Sequence, residues 1–244
     1  VSSSGHLILF SKFTTFPDQG LTLDIAVHVG SIIAVSIYFA KTIWEIIKGL
    51  CKTWFIPNFK NDGNKLFWLI VIATIPAVIV GLLLKEHGME WLRNTRIIGW
   101  TILCFGILLF IADKIGMTIR KVEHLGIIDA VLIGLAQCLA LIPGTSRSGI
   151  TITMGRFLGL ERREAAKFSM LLSVPTIFGA GVLVAYELYQ SGNIAEIANA
   201  ALLAIYIMMW WLKKSTFLPF VIYRILLGGY LLLESYGYLN NTIQ

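Results

Sequence analysis

Long apolar runs alternate with short polar loops along this chain, and the runs approach the length that crosses a lipid bilayer. A transmembrane helix needs about 20 consecutive, mostly apolar residues. Six segments come close to that length with few charged positions, namely residues 23–40, 66–84, 97–112, 168–189, 197–212 and 217–233. The pattern predicts an all-α polytopic membrane protein with six transmembrane helices in a single membrane domain over residues 1–244.

The segment 126–158 departs from this pattern because Pro143 and Gly144 interrupt its middle. Each half is shorter than a full crossing, so we expect two half-helices that meet near the middle of the membrane as a re-entrant hairpin. Irregular backbone at that depth is tolerated only where protein buries it or where it lines a cavity. The interruption therefore predicts a turn of that kind at the tip of the hairpin.

The distribution of charge agrees with this topology. Only 14% of the residues are charged, against about 25% in soluble domains. Lysine and arginine concentrate in the loops 41–65, 113–124, 159–167 and 213–216, whereas the loops 190–196 and 234–244 contain neither. If the hairpin returns to the face from which it starts, every basic loop lies on one side, as the positive-inside rule requires. The same count places both chain ends outside the cytoplasm.

A short internal repeat relates the two halves of the chain. Residues 2–5 (Ser-Ser-Ser-Gly) resemble residues 146–149 (Ser-Arg-Ser-Gly), and an apolar helix follows each motif. The copies start on opposite sides of the membrane, which predicts an inverted-topology repeat with halves of about 1–112 and 113–244, a class that binds ligands near the midplane. The second motif follows a half-helix, so we expect a matching half-helix upstream of Val1 and a first re-entrant hairpin truncated at its N-terminus.

Arg147 is the residue in the central motif that most needs an explanation. An ionised side chain at the bilayer centre costs at least about 2.5–3.5 kcal/mol on insertion scales. An anionic ligand is the simplest compensation, and the planar guanidinium group matches the oxygens of a phosphate. Two other arginines carry weaker expectations: Arg156 is expected to extend to the inner membrane surface, and Arg224 to pair with Glu187.

The residues around Arg147 predict a phosphate-binding helix N-terminus. Either Thr145 or Ser146 suits the N-cap position after Pro143-Gly144. The N–H groups of residues 147–149 would then point at one spot, where the helix dipole also favours an anion. Thr151 follows Ser148 by one helical turn and shares its face, although a threonine that bonds to its own helix is the alternative for Thr151.

Ser3 and His6 are candidates for the chemical step. Their spacing puts them on one face of a helix, where a Ser–His pair can attack phosphorus with His6 as base and then acid. Alternatively, His6 protonates the leaving oxygen while water attacks. A dianionic diphosphate usually also needs a divalent cation, and Asp24, the nearest acidic residue, is insufficient to hold one alone.

The two motifs together resemble the undecaprenyl-diphosphate phosphatase family, the integral membrane phosphatases of the bacitracin-resistance type. The resemblance rests on Ser-Ser-Ser-Gly-His-Leu at residues 2–7 and Ala-Leu-Ile-Pro-Gly-Thr-Ser-Arg-Ser-Gly-Ile-Thr-Ile at residues 140–152, and it extends to Tyr-Arg-x-x-Leu-Gly at residues 223–228. It implies a multi-pass hydrolase of the bacterial inner membrane, with six spans, two re-entrant hairpins and an active site open to the periplasmic side. Such an enzyme recycles undecaprenyl diphosphate to the monophosphate lipid carrier for peptidoglycan and cell-wall synthesis, and thereby supports cell shape and bacitracin resistance.

The resemblance also implies roles for individual residues. Ser3 and His6 match the catalytic pair of the family, and Ser146, Arg147 and Thr151 match its diphosphate-binding residues. The family has two glutamates, four residues apart, just before the first motif; we expect them upstream of Val1, where they would hold a divalent metal, Mg²⁺ or Ca²⁺. With the local interpretation added, the predicted catalytic residues are Ser3, His6 and Arg147, and the predicted substrate-binding residues are Ser2, Ser146, Ser148, Gly149 and Thr151. The expected partners are a polyprenyl diphosphate and membrane lipids, with a homodimer as a further option and no nucleic acid.

Two other functions were weighed against this interpretation. A transporter or flippase of anionic lipids would use the same architecture, because inverted repeats with broken helices are typical of transporters. A phosphatase of the type 2 phosphatidic-acid-phosphatase class is excluded, because that class needs a second histidine after its Ser-Arg motif and no histidine follows Arg147.

Overall fold

The structure is a computed structural model that describes residues 31–87, 94–116, 119–181, 206–207, 210 and 216–237. Within these residues the fold is helical and contains no β-strand. After helical residues 31–38, the principal helices are α1 (Ala40–Lys52), α2 (Asp62–His87), α3 (Thr95–Ile115), α4 (Ile127–Cys138), α5 (Arg147–Phe157), α6 (Arg162–Gly181) and α7 (Leu218–Ser235). Two short 3₁₀ turns lie at Val122–His124 and Leu139–Leu141.

Three of these helices are long and apolar enough to cross a membrane: Asp62–Leu84 within α2, all of α3, and all of α7. Large apolar side chains such as Leu82, Trp100 and Leu226 are exposed on them, as expected of surfaces that face lipid rather than water. The chain is therefore a membrane protein that is all-helical in its described residues. The predicted spans 66–84 and 97–112 are confirmed as helices that extend a few residues further at both ends, and the span 217–233 as a helix shifted by one or two residues, to Leu218–Ser235.

The remaining predicted spans lie partly or largely outside the described residues. Helix α6 covers the first part of the span predicted at 168–189, and residues 31–38 are helical within the span predicted at 23–40. Of the span predicted at 197–212, the structure describes only residues 206, 207 and 210, all helical.

The prediction of a loop over the whole of residues 41–65 is wrong, because α1 occupies the first half of that segment. Ile46, Gly49 and Leu50 are the buried residues of α1, a spacing that forms one face of a helix. The lysines lie on the exposed side, so the helix is amphipathic rather than apolar. A search for apolar runs long enough to cross a membrane does not detect such a helix.

The polar connections between helices gather at one end of the bundle, which we call the basic end. Lys65 Nζ, at the start of α2, donates to the Glu123 carbonyl oxygen at 2.8 Å. Asp113, near the end of α3, accepts from Arg162 Nε at 2.7 Å and from the Phe217 N–H at 3.4 Å. The described parts of the predicted basic loops therefore meet at one end, as the charge count requires.

Helices α4 and α5 form a hairpin whose two outer ends lie at the basic end. Arg120 joins these ends, because its guanidinium group donates to the Leu158 carbonyl oxygen at 2.8 Å and to Asp129 Oδ2 at 2.6 Å. The predicted interruption at Pro143-Gly144 is confirmed, since it separates the two helices. Gly134 of α4 lies so close to α2 that an added Cβ atom would be 2.6 Å from the Ala73 carbonyl oxygen.

Arg156 does not extend to the membrane surface as expected. It is 0% exposed, and its Nε lies 3.3 Å from Asp113 Oδ1. Its terminal nitrogens donate to the carbonyl oxygens of Gly116 (2.9 Å), Asp113 (3.2 Å) and Leu160. Burial of a cation is tolerable where a counter-ion and hydrogen-bond acceptors surround it, so Arg156 fastens the base of the hairpin to the end of α3.

Candidate anion-binding site

The tip of the hairpin is a tight turn that only glycine fits at its centre. Gly144 has a φ of +87°, which L residues with a side chain rarely adopt. An added Cβ atom would also lie 2.3 Å from Thr101 Oγ1 and 2.9 Å from the Ile98 carbonyl oxygen. The turn is therefore pressed against α3, and this contact fixes where α5 begins.

Two side chains from neighbouring helices donate hydrogen bonds to the carbonyl oxygens of this turn. Thr101 Oγ1 donates to the Pro143 carbonyl oxygen at 2.8 Å. Arg224 of α7 donates to the carbonyl oxygens of Gly144 (3.4 Å) and Ile102 (3.2 Å). Arg224 is buried, and its described partners are carbonyl oxygens, while Glu187, its predicted partner, lies outside the described residues. The role of Thr101 was not predicted, because nothing about an isolated threonine within an apolar span indicates that it contacts Pro143.

Ser146 is the N-cap of α5, as one of the two alternatives predicted. Its backbone is extended, and its Oγ accepts from the Gly149 N–H at 3.2 Å. Ser148 Oγ lies 3.2 Å from Ser146 Oγ. The Gly149 N–H is therefore engaged in the cap, while the N–H groups of Arg147 and Ser148 precede the first intrahelical hydrogen bond, from the Ile150 N–H to the Ser146 carbonyl oxygen. Such N–H groups at a helix N-terminus can bind an anion.

Arg147 is half-buried, and it differs from the two buried arginines, Arg156 and Arg224, in what surrounds its charge. Its NH1 atom is buried and has no hydrogen-bond partner among the described residues, and its side chain forms no ion pair with any of them. Thr145 Oγ1, two positions earlier, is likewise buried and unpartnered within the described part of the chain. A buried donor without a partner is costly, and two of them at one turn indicate that a ligand with several acceptor oxygens belongs there.

Thr151 lies one turn behind the helix start and is almost fully buried. Its Oγ1 is 2.9 Å from the Arg147 carbonyl oxygen and 2.7 Å from Ser169 Oγ of α6. These contacts indicate that Thr151 positions α5 against α6; a direct contact with substrate stays a prediction. Sequence reasoning missed Ser169, since nothing in a single sequence signals its contact with Thr151.

The other half of the predicted site lies outside the described residues. Ser2, Ser3 and His6 all fall there, so their approach to Arg147 stays a prediction. Within the described chain, no three His, Cys, Asp or Glu side chains come together as a metal site would require. The described half of the site therefore contains a candidate anion-binding turn without a metal-ligand set.

Together, the fold and this turn define a helical membrane protein with a candidate anion-binding site at the tip of a helical hairpin. The chain belongs to the family described as bacitracin resistance protein BacA, whose sequence model matches residues 1–230. The resemblance carried by residues 2–7 and 140–152 is thereby confirmed.

Curated relatives match nearly the whole chain. Undecaprenyl-diphosphatase 1 of Rhodospirillum rubrum is 45% identical over 253 residues, which cover 97% of this chain and 89% of that protein. The undecaprenyl-diphosphatase of Roseobacter denitrificans is 45% identical over 250 residues, covering 97% of this chain and 92% of the relative. That of Erythrobacter litoralis is 40% identical over 262 residues, covering 95% and 92%.

Proposed function

We propose that this protein hydrolyses undecaprenyl diphosphate to undecaprenyl phosphate and inorganic phosphate. The relatives above carry the name of that activity, and they match this chain over nearly its full length. The observation in the structure that carries the proposal is the buried, unpartnered Arg147 NH1 at the capped start of α5. In the cell, the reaction recycles the lipid carrier for peptidoglycan synthesis and accounts for the link to bacitracin resistance.

The described residues supply the phosphate-holding part of the mechanism. Arg147 and the N–H groups at the start of α5 bind oxygens of the diphosphate, and they stabilise the negative charge that develops as the reaction proceeds. The bond from the terminal phosphorus to the bridging oxygen breaks, and an oxygen that derives from water takes its place on phosphorus. Undecaprenyl phosphate leaves with the bridging oxygen.

The proton transfers of this reaction belong to residues outside the described part of the chain. We assign them to His6, with Ser3 beside it. Either Ser3 attacks phosphorus and water then releases the phosphoryl group, or water attacks directly; both routes remain open in this proposal. Arg147 serves either route, because both develop charge on the same phosphoryl oxygens.

A divalent cation, Mg²⁺ or Ca²⁺, is part of the proposal on chemical grounds. A cation of this kind neutralises charge on a diphosphate when it is bound. The described residues near Arg147 are basic or neutral and offer no carboxylate cluster. We therefore assign its ligands to none of them.

The proposal includes the full topology of six membrane spans and two re-entrant hairpins in an inverted repeat. Both outer ends of the α4–α5 hairpin lie at the basic end, whereas its tip contacts Ile98 and Thr101 of α3. At about 1.5 Å per residue, these contacts lie about 20 Å from the end of α3 at Ile115. With the basic end in the cytoplasm, the tip is closer to the periplasmic side of the inner membrane, and the site opens there. A homodimer stays a prediction.

A transporter of anionic lipids is not favoured, because the relatives are named as diphosphatases. The test is phosphate release from undecaprenyl or farnesyl diphosphate by the purified protein. We expect release that falls to background in Arg147→Ala and persists in Arg163→Ala, which removes an exposed arginine of α6. Equal release from Arg147→Ala and the unmodified protein would refute the proposal, and so would an absence of release from all three.

A further inference from the structure

We propose that the basic end carries a binding site for an anionic phospholipid headgroup of the phosphatidylglycerol class. The site is the cavity between α1, the start of α2 and the 3₁₀ turn Val122–His124. It lies at the opposite end of the hairpin from Arg147, and it does not depend on the proposed reaction.

The cavity has a volume of about 410 Å³, within the range of about 300–1,000 Å³ that is typical of small-ligand pockets. Its floor is the contact between α1 and α2. An added Cβ atom on Gly63 would lie 2.2 Å from the Glu45 carbonyl oxygen, and one on Gly49 would lie 2.6 Å from the Asn64 backbone nitrogen. Because backbone meets backbone here, the cavity has a fixed floor.

The cavity wall contains four lysines. Lys48, Lys52, Lys65 and Lys167 line it. Lys65 donates to a backbone carbonyl oxygen, and none of the four forms an ion pair with a described residue. Ammonium groups at the membrane surface attract the phosphates of anionic lipids. Lys48 also lies over the Trp44 ring, 5.5 Å from its centroid. Because no carboxylate of a described residue neutralises these lysines in an ion pair, their charge is available to the phosphodiester of a headgroup.

The same wall also contains three carboxylates, which narrow the choice of headgroup. Glu45, Asp62 and Glu123 line the cavity, and none forms an ion pair with a described residue. A carboxylate accepts hydrogen bonds and donates none. It suits a headgroup whose hydroxyls donate, as glycerol does, and gives no hydrogen bond to choline. With four lysines against three carboxylates, the wall carries a small net positive charge, which favours a lipid with net negative charge.

An exposed aromatic turn follows the cavity-lining Lys52 along the chain and suits the apolar part of a lipid. Trp54 and Phe55 have φ angles of +50° and +63° and are 86% and 63% exposed. Bulky residues hold such angles only where their surroundings fix them. The buried Asn64 does so, because it accepts from the Asn58 N–H at 2.7 Å and donates to the Ile56 carbonyl oxygen at 3.1 Å.

This turn follows directly from Lys52, which ends α1 and lines the cavity. Aromatic side chains of this kind concentrate at the headgroup level of membranes. A phosphate held by Lys48 and Lys52 therefore leaves the glycerol backbone and acyl chains beside Trp54 and Phe55. The combination of a lysine-containing cavity and an exposed aromatic turn next to it in the chain is what favours a phospholipid over free phosphate.

The test is binding of phosphatidylglycerol to the delipidated, purified protein, measured by native mass spectrometry and by the shift of the thermal unfolding midpoint. We expect binding at least tenfold tighter than that of phosphatidylcholine. Lys48→Gln/Lys52→Gln should weaken it about tenfold. The matched control Lys60→Gln/Lys121→Gln removes two exposed lysines that do not line the cavity and should leave it within about twofold. Trp54→Ala/Phe55→Ala should weaken it severalfold.

Several results would overturn the proposal. One is equal weakening by the control pair, which would show that diffuse surface charge holds the lipid. Equal binding of phosphatidylcholine is another, and displacement by millimolar inorganic phosphate would identify a free-phosphate site instead. Both lysines of the first pair are exposed, and retained helix content verifies folding. Phosphate release in lipid-free detergent should be the same for both pairs, so failure here is distinguishable from failure of the proposed reaction.

Discussion

Arg147 and Arg156 lie at opposite ends of the same helix, α5, and their surroundings are opposite in kind. Arg156 is fully buried among an aspartate and three carbonyl oxygens. Arg147 has a buried nitrogen with no described partner, next to an unpartnered Thr145 hydroxyl. A buried arginine with a counter-ion and several carbonyl acceptors around it, such as Arg156, belongs to the architecture even though its Nε makes an ion pair rather than a hydrogen bond. A guanidinium group with neither, such as that of Arg147, indicates a ligand.

Arg224 shows that burial alone does not distinguish the two cases. It is as buried as Arg156, and its described acceptors are the carbonyl oxygens of Thr101, Ile102 and Gly144. It therefore supports the turn from which Arg147 projects. Helix α5 therefore has a candidate binding end at the hairpin tip and a structural end at its base.

The largest expected effect on phosphate release comes from substitution of Arg147. Arg147→Ala should lower phosphate release by about 100-fold or more, the scale at which loss of one preorganised donor acts. Arg147→Lys should also lose most activity, because the ammonium group keeps the charge but not the paired geometry. The unfolding midpoint should hardly move in either variant. A lysine variant with normal turnover would contradict the guanidinium argument.

At the structural end, the corresponding change should act on stability. Arg156→Met leaves Asp113 buried with Arg162 as its remaining charged partner, and breaking a buried pair in this way costs about 3–5 kcal/mol. Thermal unfolding followed by circular dichroism should therefore shift to clearly lower temperature. The double variant Arg156→Met/Asp113→Asn should recover part of the loss. If Arg156→Met unfolds like the unmodified protein, the assigned role is wrong.

A substitution of Gly144 should affect both activity and stability, because Gly144 sets the position of the hairpin tip. Gly144→Ala would place a Cβ atom against Thr101 at a φ of +87°, and strain of this kind costs about 1–3 kcal/mol. We expect at least tenfold lower phosphate release together with a lower unfolding midpoint. Gly229→Ala in α7 is the matched control, since an added Cβ atom there meets nothing within 4 Å. Equal effects of the two substitutions would refute the assignment.

The sequence predicts the binding end of α5 better than the structural end, for a physical reason. Pro143, Gly144 and Ser146 act locally, so turn and cap chemistry identify them. The partners of Arg156 depend on a contact with Asp113 in another helix, and a single sequence does not reveal such a pairing. Helix α1 was missed for a different reason: its buried face is narrow, and lysines on its exposed side interrupt the apolar pattern.

A smaller effect should follow from the support behind the tip. Thr101→Val removes the hydrogen bond to the Pro143 carbonyl oxygen, worth about 1 kcal/mol. If Thr101 positions the tip, KM for the diphosphate should rise severalfold while the unfolding midpoint changes little, and Thr101→Ser should restore KM. If stability drops while KM is unchanged, or if Thr101→Ser does not restore KM, Thr101 contributes only to packing and does not position the tip.

The smallest expected effect concerns the base of the hairpin at low pH. Burial would raise the pKa of the Asp129 carboxyl, but the hydrogen bonds from Arg120 and the Gly126 N–H, with the charges of Arg120 and Lys65, hold that pKa below its usual value. The unfolded state therefore binds the proton more tightly. This stabilisation is fully present above the ordinary carboxyl pKa of about 3.9 and disappears as the pH falls through the folded-state value.

The unfolding midpoint should therefore decline less steeply from pH 6 to pH 3 in Asp129→Asn than in the unmodified protein, although the variant is less stable at pH 6. Glu123→Gln is the matched control, because Glu123 is exposed and unpaired among the described residues. Its profile should run parallel to that of the unmodified protein. If all three profiles are parallel, the Arg120–Asp129 pair does not hold the two ends of the hairpin together, and the structural end depends on Arg156 instead.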